Sequence, residues 1–186
     1  MAHPYLANLE KLLWPAGARR GLWMIVDGAR DRQIFGMLLN SYLEYSCLYS
    51  GTIPVALEPA APYLVQLEYE DRYTRQLLER GWGKSWGIVL KCDTSVERLR
   101  RHLRTFLVVQ DPRGKQLLFR YYDPRVWRVY LPTCNDSELR TVFGPIEAFY
   151  VEDEDPAELW EFRREDGRLA RRKISLATGE VAVPRG

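Results

Sequence analysis

Histidine is scarce in this chain, with two residues in 186, and cysteine nearly as scarce, with three. His3 stands near the start and His102 in an arginine-rich stretch, so any Ser/His/Asp or Cys/His arrangement has to run through His102. No nucleophile-elbow pattern accompanies it, and the expectation is a surface or half-buried histidine. Cys47, Cys92 and Cys134 are odd in number and widely spaced, which suits a reducing compartment better than a disulfide framework. No two Cys or His residues stand at zinc-ligand spacing. A dominant charge is also missing: 27 basic against 25 acidic residues leave a net of +2, which calls for neither nucleic acid nor an anionic membrane as partner. No apolar run reaches the roughly 18–20 residues of a membrane span. Met1 to Leu13 lacks the basic segment followed by an apolar stretch that marks a secretory signal. The expectation is a cytoplasmic protein with no metal and no other cofactor.

What is present is the material of a folded core. Hydrophobic residues make up 46% of the chain and charged residues 28%, a globular balance. The length fits one domain, or one domain with an appendage. The 6 Trp and 11 Tyr stand out, because such side chains dominate both cores and protein interfaces.

Periodicity gives an alternation of helices and strands. Leu6, Leu9, Leu12 and Leu13 predict a short helix that Pro15 and Gly17 end. Leu22–Val26 reads as a buried strand, and Ile34, Phe35, Leu38, Leu39 and Tyr42 as the inner face of a helix. A partly exposed Cys47–Ile53 stretch and a bend through Pro54, Pro59 and Pro62 lead to a strand at Tyr63–Leu67. Asp71–Arg80 reads as a helix with Tyr73, Leu77 and Leu78 inward, stopped by Gly81 and Gly83. Trp86–Leu90 reads as a central strand, apolar on both faces. Thr94 or Ser95 caps the next helix, Thr94 at capping-box distance from Glu97, with Val96, Leu99, Leu103 and Phe106 as its stripe.

A hairpin follows around Asp111-Pro112-Arg113-Gly114. Asp123-Pro124 opens a helix with Val126, Val129 and Tyr130 on one side, which Pro132 ends. Asn135–Phe143 reads as a helix with Leu139, Val142 and Phe143 inward. Ile146–Val151 reads as the last strand of the main layer. The acidic run Glu152–Asp155 reads as a linker, Asp166-Gly167 as a hairpin turn between Trp160–Arg164 and Leu169–Leu176, and Ala177–Gly186 as a loose tail. The predicted fold is mixed α/β: one domain over 1–151 with a central mixed sheet flanked by helices, then an acidic linker, a small C-terminal hairpin and a tail over 152–186.

The search for chemistry yields one nucleotide-like motif. Gly81-Trp82-Gly83-Lys84-Ser85 ends as a phosphate-binding loop ends, but Leu78 stands where the first glycine belongs. The loop also follows a helix and precedes a strand, the reverse of what a phosphate site at a helix N-terminus needs. Two stretches remain as possible partner-binding surfaces. One is the basic helix face Arg98, Arg100, Arg101 and Arg104, which is either solvated, bound to an acidic partner, or paired with the chain's own Glu152–Asp155. The other is Tyr121-Tyr122-Asp123-Pro124-Arg125 with Trp127 and Tyr130, residue types that dominate interface hot spots but that equally pack inward at a helix start. Arg100, Arg104, Tyr122, Arg125, Trp127 and Tyr130 are the candidate partner-binding residues, and no residue is a catalytic candidate.

Several segments in order carry a resemblance. They are Val26-Asp27-Gly28-Ala29, Ala61-Pro62-Tyr63-Leu64-Val65, Gly81-Trp82-Gly83-Lys84-Ser85-Trp86-Gly87-Ile88, Leu99-Arg100-Arg101-His102-Leu103-Arg104, Phe119-Arg120-Tyr121-Tyr122-Asp123-Pro124-Arg125-Val126 and Phe143-Gly144-Pro145-Ile146. Over roughly Leu22–Val151 the chain resembles the effector adaptor chaperones of type VI secretion, a family long described as a domain of unknown function. The resemblance implies a cytosolic, non-catalytic protein that holds a toxic effector, keeps it soluble and helps join it to the secretion spike, with no catalytic residues to carry over. A small-ligand or nucleotide-binding enzyme using Lys84, Ser85 and the Arg100/Arg104 face, and an immunity-like partner that neutralises a toxin, stay open beside it.

Overall fold

The computed structural model describes residues 4–15, 21–111, 113–178 and 181–182. His3, Gly17, Pro112 and most of the expected loose tail lie outside them. Strand β1 (Leu22–Asp27) is buried along its whole length because both of its neighbours and both of its faces are covered. It pairs on one side with β3 (Pro62–Gln66) and on the other with β4 (Gly87–Lys91), both antiparallel. Beyond β3 lies the short edge strand β2 (Tyr45–Cys47). Beyond β4 the sheet runs through β7 (Ala148–Glu152), β8 (Glu158–Glu165), β9 (Arg168–Ser175) and β10 (Val181–Ala182). A separate two-stranded hairpin joins β5 (Val108–Gln110) to β6 (Gln116–Leu118).

Alternation along β1 sends Leu22, Met24 and Val26 to one face and Trp23 and Ile25 to the other. The first face packs against α1 (Leu6–Leu13), α2 (Arg32–Leu39) and α3 (Arg72–Gly81) through Leu9, Leu13, Ile34, Leu38, Leu77 and Leu78. The second packs against α4 (Val96–Arg104), α5 (Pro124–Tyr130) and α6 (Asp136–Phe143) through Leu99, Leu103, Trp127, Leu139 and Phe143. Each such side chain taken out of water contributes about 1.5–3 kcal/mol. The result is a helix–sheet–helix sandwich with two cores, the mixed α/β class expected.

The sheet differs from expectation in three ways. Its described pairings are all antiparallel, where a mixed sheet was expected. Ile146–Val151 is not its last strand, because β8 and β9 pair onto β7 and continue the same sheet across the 151/152 boundary. Residues Glu152–Asp155 are the end of β7 and a tight turn rather than a linker. Asp153 N–H donates to the Glu158 carbonyl at 3.1 Å, and Arg128 and Lys173 pair with Asp153. The Asp166-Gly167 turn is as read, both residues having the positive φ of a type I′ turn. In the tail, Val181–Ala182 pair with β9.

Local corrections follow the same logic. α2 ends at Leu39, which is exposed, and Tyr42 lies past its end with its ring against Tyr73. Ser95, not Thr94, caps α4 by accepting from Arg98 N–H at 3.4 Å. The capping box that forms is on α6: Glu138 N–H donates to Asn135 Oδ1, and Asn135 N–H donates to the Glu138 carboxylate.

Candidate protein-docking groove

Helix α5 shows how one short segment serves both core and surface. Asp123 caps it, accepting from Arg125 N–H at 3.0 Å, and Pro124 occupies the first turn. Four residues on, Trp127 points inward and is fully buried, edge-on to Phe149 with ring centroids 5.1 Å apart. Val126, Val129 and Tyr130 are left on the outer side, with Val129 72% exposed. Phe119 comes off β6 to meet Tyr130 edge-on at 4.7 Å. Together Phe119, Val126, Val129 and Tyr130 wall an open groove of about 710 Å³, completed by Asp123, Arg125 and Thr133. The adjoining hairpin exposes Val108, Val109, Leu117 and Leu118. Exposed apolar surface of this kind marks interaction sites.

A polar cluster within electrostatic reach of the groove's Asp123 and Arg125 is built from segments far apart in sequence. Asp27, at the end of β1, is 1% exposed; it accepts from Ala29 N–H at 3.1 Å and pairs with Arg120. Gly28 N–H donates to the Ala61 carbonyl at 3.0 Å, and a Cβ at Gly28 would stand 2.4 Å from the Pro59 carbonyl oxygen, so only glycine fits there. Arg30 donates to the Lys84 carbonyl at 3.2 Å and also acts on Asp123. The Arg125 guanidinium grips Asp123 through Nε at 3.0 Å and Nη2 at 2.6 Å. Burial alone raises the Asp123 carboxyl, but hydrogen bonds and charge from Arg125 hold it below its ordinary 3.8. Burial pushes the Tyr122 hydroxyl, hydrogen-bonded to Tyr49, well up.

Replacing Asp123 with alanine should cost about 1–2 kcal/mol at neutral pH, the loss of an N-cap, read by urea unfolding. Because the folded carboxyl titrates below the unfolded one, its contribution is present above 3.8 and is lost as pH falls through the lowered folded value. The gap between wild type and variant should therefore close in acid; a gap that widens would refute this role.

The six candidate residues fall in three places. Arg125 and Tyr130 line the groove. Tyr122 and Trp127 are buried at 1% and 0% exposure and support it from beneath. Arg100 and Arg104 are elsewhere: Arg100 Nε donates to the Cys47 carbonyl at 2.9 Å, and Arg104 donates to the carbonyls of Cys47, Leu48 and Tyr49. They clamp the chain leaving β2 and do not meet the acidic run. Phe119, Arg30, Arg120 and Asp27 are not among the six candidates, since their juxtaposition is set by sheet order rather than local spacing.

The nucleotide-like loop is occupied by the protein itself. Gly83 and Ser85 N–H each donate to the Glu152 carboxylate at 2.6 Å, and Trp82 Nε1–H donates to the Pro156 carbonyl at 2.8 Å. Burial pushes the Glu152 carboxyl up despite those amides, so the loop and the end of β7 lock each other. His102 is half-buried as expected, with Nε2 2.9 Å from the Val142 carbonyl oxygen. Burial lowers its pKa. Among the described residues no cluster of His, Cys, Asp or Glu has the form of a metal site, and no helix is long and apolar enough to cross a membrane.

An antiparallel sheet between two helical layers, with an apolar groove on one of them, defines the class: a three-layer α/β protein. The chain belongs to the family described as a domain of unknown function (DUF4123), whose model matches residues 22–141. That span runs from β1 into α6 and includes the whole groove. No curated protein and no solved structure gives a match.

Proposed function

We propose that this chain is a non-catalytic adaptor chaperone of the cytoplasm, which binds a cognate type VI secretion effector, keeps it soluble and helps load it onto the secretion spike. Membership of the DUF4123 family supports the reading, together with the ordered motifs that resemble the adaptor chaperones. The observation that carries it is the groove: Val129 and its neighbours on α5, with Phe119, leave apolar surface uncovered. Covering an aggregation-prone effector segment would bury that surface and stabilise the pair by mass action, with no need of ATP. The occupation of the Gly83 and Ser85 amides by Glu152 removes the main support for a nucleotide enzyme.

The test is co-expression with the toxin and spike proteins encoded beside this one. A soluble stoichiometric complex with the toxin is expected, with toxin activity measured inside it. Full inhibition would favour an immunity partner. Failure to capture either protein, with all of them folded, would overturn the adaptor reading.

A further inference from the structure

The hairpin of β5 and β6 pairs only with itself and carries apolar side chains on both faces. Its register sets Val109 opposite Leu117 on one face and Val108 opposite Leu118 on the other, and all four are exposed. A two-stranded hairpin is marginal by itself in water. Its ladder also leaves main-chain groups open. Phe119 N–H donates to the Leu107 carbonyl at 2.8 Å and Asp111 N–H to the Lys115 carbonyl at 3.0 Å. Leu107/Phe119, Val109/Leu117 and Asp111/Lys115 are therefore the hydrogen-bonded pairs. The residues between them turn their N–H and C=O groups outward: Val108 and Gln110 on β5, Gln116 and Leu118 on β6. Proteins commonly guard such edges with charge, proline or very short strands. The main sheet does so. The Cys47 carbonyl of β2 is taken by Arg100 and Arg104, β10 is two residues long, and β9 beside it carries Arg168, Arg171 and Arg172. β5 reads Val-Val-Gln and β6 Gln-Leu-Leu, with no charge and no proline.

We infer that the outer edge of β6 pairs antiparallel with β6 of a second copy of this chain, about a two-fold axis at Leu117. Gln116 and Leu118 are two residues apart and both open outward, so the edge is complementary to itself. Gln116 of each copy exchanges both main-chain hydrogen bonds with Leu118 of the other. Leu117 then faces Leu117 across the axis, and Val109, Leu117 and their counterparts form one apolar row on a four-stranded sheet, long enough to be stable where a lone hairpin is not. Charge permits the pairing: Lys115 falls opposite Phe119 of the other copy, and the antiparallel sense carries the two turns, each with Arg113, to opposite ends. β5 is the poorer edge, because the same operation about Val109 would set Asp111 against Leu107, which is buried. The contact is small beside the ~1,200 Å² of a stable complex, so the dimer is weak, half-formed at roughly 0.1 mM chain. The inference stands on main-chain geometry and does not depend on the adaptor reading.

Sedimentation equilibrium of the full chain tests it, over concentrations reaching about 1 mM. A monomer–dimer equilibrium is expected. Gln116→Pro removes one outward N–H and leaves every apolar side chain in place; it should weaken the dimer by roughly tenfold or more. Leu117→Lys sets like charges opposite each other across the axis and should do the same. Gln110→Pro, which removes an outward N–H from the other edge, should have no effect. A residue on the axis meets its own copy, at a Cα separation of about 4.5 Å, within reach of a disulfide. Leu117→Cys should therefore give an oxidised dimer that neither wild type, with its three cysteines, nor Val109→Cys gives. Far-UV circular dichroism verifies that the variants are folded, and Leu117→Cys, at an exposed position, is the mildest of them.

A monomer throughout that range, together with no cross-link through Leu117→Cys, would overturn the proposal. So would a dimer of wild-type strength in Gln116→Pro and Leu117→Lys. A dimer lost in Gln110→Pro but kept in Gln116→Pro would place the contact on β5, and one lost only in Val129→Asp would place it at the α5 groove; either would refute the β6 edge. The adaptor reading fails separately, if the toxin and spike are not captured while the dimer still forms.

Discussion

Replacing Gly87 with alanine is expected to leave the chain without a stable fold, read as insoluble expression or loss of a cooperative thermal transition. Gly87 opens β4 and pairs with Val26 of β1. A Cβ built on it would stand 1.8 Å from the Ile25 carbonyl oxygen and 2.8 Å from the Ile25 carbonyl carbon, both main-chain atoms. A side chain can relieve a clash by changing rotamer, but here β1 and β4 would have to part. These strands are the middle of the sheet, and both helical layers pack on them. The Asp27 N–H bond to the Trp86 carbonyl, 2.8 Å long, would be drawn apart with them. A cost above about 4–5 kcal/mol is exceptional for one substitution, yet domains of this size are stable by only about 5–15 kcal/mol. Gly36→Ala is the matched control. It lies exposed in α2 with nothing within 4 Å of an added Cβ, and should stabilise by about 0.5–1 kcal/mol. A Gly87→Ala protein that melts as wild type does would refute the β1–β4 pairing.

The same central strands were the most legible part of the sequence. Leu22–Val26 and Trp86–Leu90 are continuous apolar runs, and such runs mean burial on both faces wherever they sit. Asp123-Pro124 and Asp166-Gly167 were legible for a different reason, since cap and turn chemistry is local. What the sequence hid is partner choice across long separations. Glu152 meets Gly83 and Ser85 across a gap of 69 and 67 residues, and no local pattern announces it. An acidic run resembles a solvated linker unless the cations that pair with it are known, and Arg128 and Lys173 come from α5 and β9. Arg100 and Arg104 resemble a binding face because their acceptors are backbone carbonyls, which carry no signature in the side-chain sequence. Aromatic composition was ambiguous in principle at α5. The phase of the helix from its Asp123 cap resolves it, placing Trp127 inside and Val126, Val129 and Tyr130 outside.

Trp127 tests that phase directly. Its ring is fully buried and lies near Phe106, Tyr121, Tyr130 and Phe149, so truncation to alanine is expected to cost about 3–5 kcal/mol. Phenylalanine should cost much less, about 1–2 kcal/mol by the usual scale of a well-tolerated core swap. The Trp127 Nε1–H has no hydrogen-bond partner among the described residues. Removing it recovers a desolvation penalty of about 1–3 kcal/mol, which offsets part of the lost apolar area. Urea unfolding followed by circular dichroism makes the comparison, because tryptophan fluorescence is itself altered by the change. The two variants also separate support from contact. Trp127 lies beneath Tyr130, with ring planes 28° apart, so an emptied site lets α5 sink and deforms the groove. Partner binding should then fall in Trp127→Ala and survive in Trp127→Phe. Equal loss of binding in both, with stability unchanged, would place Trp127 at the interface and refute the inward phase of α5.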